Sequence, residues 1–220
     1  VVIEAFIAHS SNDAQRKRQL AERLAALIAD PGATHAARLF ACGQLPLVAT
    51  EAQVPVLAKL LDDPKSAEMA RRALEAIPAD ASVEALRAAL TPRTRMLLVC
   101  SPSNPTGVVY RPDELAALAD VALEADLAVV ADEIYDQLVF DGRTSPSFPT
   151  LRPGLESRTV VVAGVSKTYS MTGWRIGWTI APEPLSKAIG NLQSQETSNP
   201  SSIGQHAAVA ALTGPQECVT

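Results

Sequence analysis

The spacing of apolar residues along the chain changes near residue 90. Before that point, apolar side chains recur every three or four residues, as they do on one face of a helix. After it, they gather in short runs of strand length. The pattern therefore predicts an all-helical segment over residues 1–90 and an α/β segment over residues 91–220.

Four helices are predicted in the first segment, near residues 13–30, 33–43, 51–61 and 66–77, packed as antiparallel pairs. The first carries apolar residues at i, i+4, i+7 and i+8 on one face, namely Leu20, Leu24, Leu27 and Ile28. Asn12 is placed to cap its start, and Thr50 with Gln53 forms a potential capping box for the third helix. No strand is expected between residues 13 and 77.

Part of this segment repeats at an offset of 33 residues. The stretch LAALIADPGATHAAR (24–38) matches LAKLLDDPKSAEMAR (57–71) at seven positions, and VEALRAAL (83–90) resembles VPVLAKLL (54–61). A repeated helix–turn–helix unit is the sequence sign of a helical solenoid. The segment resembles HEAT-like repeat proteins over residues 15–90, which implies a protein partner for the repeats. An ordinary bundle of Ala- and Leu-rich helices is the alternative.

The second segment holds three apolar runs that predict buried strands, at 95–100 (RMLLVC), 127–131 (LAVVA) and 159–164 (TVVVAG). Between the first two lies a predicted helix with Pro112 in its first turn. Its apolar stripe comprises Leu115, Leu118, Ala119, Ala122 and Leu123. Strand, helix and strand in this order predict a right-handed βαβ unit, so the strands should be parallel.

Polar motifs follow each predicted strand, where open α/β sheets bind their ligands. SNPTG follows the first, DEIY the second and SKTYSMTGWRIG the third. Each alone has a plainer explanation. The first fits a turn from Asn104 to Gly107, Asp132 of the second could cap a helix, and the charges of the third could lie on the surface. Lys167, however, sits at a strand end where partial burial makes an amine nucleophilic, and the forked guanidinium of Arg175 suits a phosphate.

Together, the three motifs resemble those of the class I aminotransferases, which are pyridoxal 5′-phosphate enzymes of fold type I. The resemblance covers residues 91–220, and the GVSK form with Gly164 is similar to the bacterial aspartate-type branch. It implies part of an α/β large domain with a mostly parallel sheet, and a further strand near 174–180 antiparallel to the third. It also implies transfer of an amino group between an amino acid and a 2-oxo acid, in a homodimer.

The resemblance further implies roles at the cofactor. Lys167 would be the catalytic residue that forms the internal aldimine and then moves the proton. Asp132 would pair with the pyridine nitrogen, and Tyr135 and Asn104 with the phenolic oxygen. Arg175 would hold the phosphate. The implied cofactor-binding set is Asn104, Asp132, Tyr135, Ser166, Lys167 and Arg175. We expect Lys167 and Asp132 to face one crevice, within about 10 Å of each other, with Arg175 at its far end.

Composition narrows the classes of partner. The 220 residues carry a net charge of −5, which disfavours nucleic acid and anionic membrane surfaces. No apolar run reaches the roughly 18 residues of a membrane span. The three cysteines lie far apart, which indicates neither disulfides nor a metal site and favours a reducing, cytoplasmic location.

The chain resembles helical repeats before residue 91 and an aminotransferase after it. This suggests a chimera joined near residues 82–92, where the two families look alike. The chain opens on Val1 and carries no arginine after Arg175, where the family's substrate arginine is expected. Ser194 stands where the dicarboxylate-specific branch has an arginine, so dicarboxylate specificity is unsupported. The alternative function is a non-enzymatic HEAT-like scaffold that carries a vestigial α/β fragment.

We expect the chain alone to transaminate poorly, because the phosphate-binding helix N-terminus and the substrate arginine of the family have no counterpart in it. Steady-state assays with a panel of amino and 2-oxo acids test this expectation. Turnover within tenfold of a median near 10 s⁻¹, and lost in Lys167→Ala, would contradict it.

Overall fold

The computed structural model describes residues 13–219 except residues 62, 64, 65, 75, 76, 78, 79, 105 and 106. The chain divides into two units, Val1–Arg93 and Thr94–Thr220. The first is helical in its described residues, and the second is built on a sheet.

The described residues of the first unit form five α-helices: α1 (Ala14–Ala29), α2 (His35–Gln44), α3 (Val54–Ala58), α4 (Ala67–Leu74) and α5 (Asp80–Ala89). No strand lies in the described part of residues 13–77, as predicted. Asp13 caps α1, because its Oδ1 accepts from the N–H groups of Gln15 and Arg16 at 2.9 and 3.1 Å. The predicted cap, Asn12, lies outside the described residues.

The third helix is shorter than the predicted 51–61. It begins as a 3₁₀ turn over Glu51–Gln53, with the Gln53 Oε1 accepting from the Thr50 N–H at 2.9 Å. After Ala58 the chain again makes bonds of the i→i+3 kind, from the Leu60 N–H to the Leu57 carbonyl. The predicted span is thus covered by an α-helical centre with tighter turns at both ends.

The turns after the two repeated helices close in the same way, 33 residues apart. The Ala33 N–H donates to the Asp30 carbonyl at 3.2 Å, and the Ser66 N–H to the Asp63 carbonyl at 2.9 Å. Each aspartate also closes its turn through its side chain, since Asp30 accepts from the Gly32 N–H and Asp63 from the Ser66 hydroxyl. The sequence repeat therefore corresponds to a repeated local structure.

Arg38 links one repeat to the next. Its Nε donates to the Ile28 carbonyl at 2.8 Å, and one terminal nitrogen donates to the hydroxyl of buried Ser66 at 3.1 Å. The two leucines that correspond in the repeat, Leu24 and Leu57, are both buried in one hydrophobic core. This core also takes in Ile77 and Ala85, so it runs through the described part of the unit.

The second unit carries a four-stranded sheet in the order β1 (Met96–Cys100), β2 (Ala128–Asp132), β3 (Thr159–Gly164) and β4 (Gly177–Ile180). The first three strands are parallel, and β4 pairs with β3 in the antiparallel direction. This confirms the predicted sheet and its antiparallel last strand, but β4 begins at Gly177 and not near 174, because Thr172–Trp174 form a 3₁₀ turn.

Helix α6 (Pro112–Glu124) joins β1 to β2 and begins with Pro112, as predicted. Its residues Leu115, Ala119 and Ala122 are buried, which matches most of the predicted stripe. Two further helices follow β4, namely α7 (Glu183–Glu196) and α8 (Ser202–Thr213). The sheet's buried positions include Val99, Val129, Ala131 and Val161. In β1, however, Met96 and Leu98 are 56% and 66% exposed, so the predicted burial of this strand is wrong for one of its two faces.

We predict that Arg38→Met destabilises the helical unit by about 1–2 kcal/mol, because it removes two hydrogen bonds and leaves buried Ser66 with one partner fewer. Thermal or urea unfolding of the full chain measures this effect. The exposed Arg23 of α1 provides the control, since Arg23→Met should stay within about 0.5 kcal/mol of wild type. Equal effects of the two substitutions would contradict the bridging role of Arg38.

Candidate functional site

The loop after β1 carries Asn104, which is exposed. The Gly107 N–H donates to the Ser103 carbonyl at 2.8 Å, so this bond spans one residue more than the predicted turn from Asn104 to Gly107. Gly107 has a φ of +72°, a conformation that glycine adopts without strain. Pro105 and Thr106 of the motif lie outside the described residues.

The end of β2 presents Asp132 and, beyond it, Tyr135. Asp132 is half-buried rather than fully buried, and its Oδ1 accepts from the Ile134 N–H at 3.3 Å. The following residues form turns and not a helix, with the Asp136 N–H donating to the Glu133 carbonyl. Asp132 is therefore not a helix cap, which was the plainer alternative for this motif.

The end of β3 leads into the turn that carries Ser166 and Lys167, both half-buried. The Tyr169 N–H donates back to the Val165 carbonyl, and the Ser170 N–H to the Lys167 carbonyl. The Lys167 amine lies 5.1 Å from the centroid of the Tyr135 ring, within the range of a cation–π contact. This contact brings together Lys167, which follows β3, and Tyr135, which follows β2.

Arg175 ends the 3₁₀ turn that precedes β4. Its backbone is left-handed, with a φ of 55°, and its side chain donates to the Thr172 carbonyl at 2.9 Å. The guanidinium remains exposed. The neighbouring Ile176 is buried, which anchors the segment beside the exposed arginine.

Ser166, Lys167 and Arg175 line one open cleft of about 590 Å³, together with residues of β3, β4 and α7. Its other described lining residues are uncharged, so the two cations define its electrostatic character. Asp132 and Asn104 are not among these lining residues. Ile134, which donates its N–H to Asp132, does line the cleft. The crevice shared by Lys167 and Asp132 stays a prediction.

Sequence reasoning missed Glu133, which lies beside Asp132. Its Oε1 accepts from the Phe148 N–H at 2.7 Å and from the Ser147 hydroxyl at 3.1 Å. Burial raises the pKa of the Glu133 carboxyl, and these two hydrogen bonds offset part of the rise. A second acidic residue at the strand end was a signal that this carboxylate accepts hydrogen bonds. Its partners could not be predicted from local spacing, because they lie 14 and 15 residues away.

A family model of class I and II aminotransferases matches residues 43–220. The chain belongs to this family. The match begins inside the helical unit, so the boundary between the two predicted domains at residue 90 stays a prediction.

Curated relatives are aspartate-type aminotransferases. The aspartate aminotransferase of Geobacillus stearothermophilus is 49% identical over 136 residues, which are 62% of this chain and 35% of that protein. The aspartate/prephenate aminotransferase of Cereibacter sphaeroides is 50% identical over 135 residues, which are 61% and 34% of the two chains. The chain thus spans about a third of the length of these relatives.

Solved structures agree with this assignment. The aspartate aminotransferase of Rhizobium meliloti superimposes with a TM-score of 0.61 at 41% identity, covering 70% of this chain and 41% of that one. A variant of the Thermus thermophilus aspartate aminotransferase gives a TM-score of 0.59 at 36% identity, covering 72% and 42%. The α/β unit is a fragment of the fold type I aminotransferase architecture.

Class I aminotransferases use pyridoxal 5′-phosphate. The groups along the cleft fit this cofactor chemically, because an amine, a hydroxyl and a forked guanidinium suit an aldehyde and a phosphate. In the described part of the chain, no group of three His, Cys, Asp or Glu residues is placed to hold a metal ion. No described helix is both long and apolar enough to cross a membrane.

We predict that Glu133 makes the α/β unit more stable at low pH than at neutral pH. Its raised pKa in the folded protein means that its contribution is present below the unfolded pKa and is lost as pH rises through the folded value. Glu133→Gln should remove this dependence in melting curves recorded from pH 4 to pH 7.

Glu133→Ala tests the hydrogen bonds rather than the charge. It leaves the Phe148 N–H and the Ser147 hydroxyl without this partner, at a cost of about 1–3 kcal/mol. Exposed Glu156 offers a control position. A Glu133→Gln variant with the pH profile of wild type would show that another group carries the dependence.

Proposed function

We propose that this chain binds pyridoxal 5′-phosphate in the cleft and transfers an amino group between an amino acid and a 2-oxo acid. The observation that carries the proposal is that Lys167, Ser166 and Arg175 line one cleft, with Tyr135 beside the lysine. A relative named as an aspartate aminotransferase supports an amino acid with an acidic side chain as one substrate, although Ser194 replaces the arginine expected for it.

Lys167 and Arg175 would grip opposite ends of the cofactor. The Lys167 amine would bond to the aldehyde, and the Arg175 guanidinium and the Ser166 hydroxyl would donate to the phosphate. Arg175 suits this role because it lines the cleft and is exposed, while one terminal nitrogen of its guanidinium donates to the Thr172 carbonyl and the next residue, Ile176, is buried.

Asp132 and Tyr135 would set the protonation of the ring, and Asn104 would add a donor at its phenolic oxygen. The half-buried Asp132 carboxylate would hold a proton on the pyridine nitrogen. The bound cofactor then serves as an electron sink for bonds at the substrate Cα. The Lys167 amine would move the proton at that Cα as a general base, a role that contributes about 10²–10⁴-fold in rate.

The helical unit has a separate proposed role. Its turns at Asp30 and Asp63 close alike, and Arg38 bridges the two copies, which supports a HEAT-like repeat that presents a surface to a protein partner. A homodimer of the α/β unit and a cytoplasmic location are proposed from the family and from the reduced state expected of its cysteines. A non-enzymatic scaffold is the competing function, and cofactor capture separates the two.

We predict that the purified chain forms an absorbing adduct with pyridoxal 5′-phosphate and that borohydride fixes this adduct on Lys167. Peptide mapping by mass spectrometry locates it. Lys167→Ala should abolish the specific adduct. Lys187→Ala is the matched control, because Lys187 is exposed on α7 and pairs with Glu183 one helical turn away. Adduct spread equally over both lysines, or no adduct at all, would overturn the proposed function.

A further inference from the structure

A hydrogen bond between residues 47 apart in the sequence connects the turn that carries Lys167 to the segment just after the C-terminal end of helix α8. The Tyr169 hydroxyl donates to the Gln216 Oε1 at 2.8 Å. The Gln216 amide nitrogen donates to the carbonyls of Ala211 and Gly214, at 3.0 and 2.7 Å, at the end of α8. Both N–H groups of this amide therefore face the helix end, which leaves its oxygen to face the tyrosine.

The same helix packs against the segment that carries Arg175. A Cβ at Gly204 of α8 would lie 3.0 Å from the Ile176 side chain and 3.3 Å from the Trp174 carbonyl oxygen. Ala208, one turn further along α8, is buried in a small cluster with Val165 and Ile176. Tyr169 packs against that cluster. Helix α8 therefore contacts residues next to each of the two cations, close to Lys167 on one segment and to Arg175 on the other.

We propose that Tyr169 and Gln216 are positioning residues that fix the separation of Lys167 and Arg175 through α8. A rigid cofactor bonded at one end and gripped at the other requires these two groups at one distance, and small displacements of reacting groups are costly. The Arg175 segment is held by the close approach at Gly204, and the Lys167 turn by the Tyr169 hydroxyl. This inference rests on the proposed function of the cleft.

The decisive variant is Tyr169→Phe, which removes one oxygen and keeps the ring in its cluster. Gln216→Met removes the amide at similar length. The matched control is Gln205→Met, because Gln205 lies on the same helix but donates to the Pro200 carbonyl near its start. A Tyr169→Phe/Gln216→Met double variant completes a thermodynamic cycle.

Two sets of measurements on the full chain, one without cofactor and one with it, separate positioning from cofactor capture. Without cofactor, hydrogen exchange of peptides that cover residues 165–175 should accelerate about fivefold in both single variants, the factor that one ordinary hydrogen bond represents. With pyridoxal 5′-phosphate, the Kd from borohydride-trapped Lys167 adduct should rise by a similar factor. The induced circular dichroism of the cofactor should fall, while the far-ultraviolet spectrum stays unchanged. Gln205→Met should change neither measurement, and the double variant should match the single ones.

The outcomes are distinguishable. A wild-type adduct on Lys167 with an unchanged Kd and dichroism in Tyr169→Phe overturns the positioning role and leaves the proposed function standing. Faster exchange with unchanged cofactor binding shows a merely structural bond and overturns it too. A wild-type chain without any Lys167 adduct overturns the proposed function, and the positioning role fails with it.

Discussion

The candidate site depends on the close antiparallel pairing of β3 with β4. Gly164 faces Gly177 in this pairing, and a Cβ at Gly164 would lie 2.9 Å from the Ile176 carbonyl oxygen. Only glycine allows the strands to approach so closely. Lys167 follows one of these strands by three residues, and Arg175 precedes the other by two. The pairing therefore brings both cations to the same end of these two strands, where β3 ends and β4 begins.

Patterns of local spacing account for what the sequence predicts well. The runs of β1 to β3 carry a strong apolar signal, and the motif after each run follows from strand topology. The same holds for α1, whose apolar stripe repeats along its length. Contacts between distant residues carry no such signal. The Tyr169–Gln216 bond spans 47 residues, and the partners of Glu133 lie at the start of a 3₁₀ turn 14 and 15 residues further on, so neither followed from spacing.

Two differences between expectation and structure arise from competition between hydrogen bonds of different length. At the third helix, bonds of the i→i+3 kind replace α-helical ones beyond Ala58. At the loop after β1, the Gly107 N–H reaches the Ser103 carbonyl, one residue beyond the predicted partner. Residue preferences indicate that a turn or helix forms there, but they do not decide which carbonyl accepts.

The charge of the described lining sets the cleft apart from the rest of this acidic chain. The chain is acidic overall, with a net charge of −5, yet the described lining of the cleft contains Lys167 and Arg175 and no carboxylate. Arg175 also holds a left-handed backbone, which costs a residue with a side chain roughly 1–2 kcal/mol. Its guanidinium donates to the Thr172 carbonyl, and the next residue, Ile176, is buried, so the segment is held on both sides of Arg175 while Arg175 itself stays exposed. An arginine held this way would lose little further freedom on binding an anion, which is the physical basis for the phosphate-binding role proposed for Arg175.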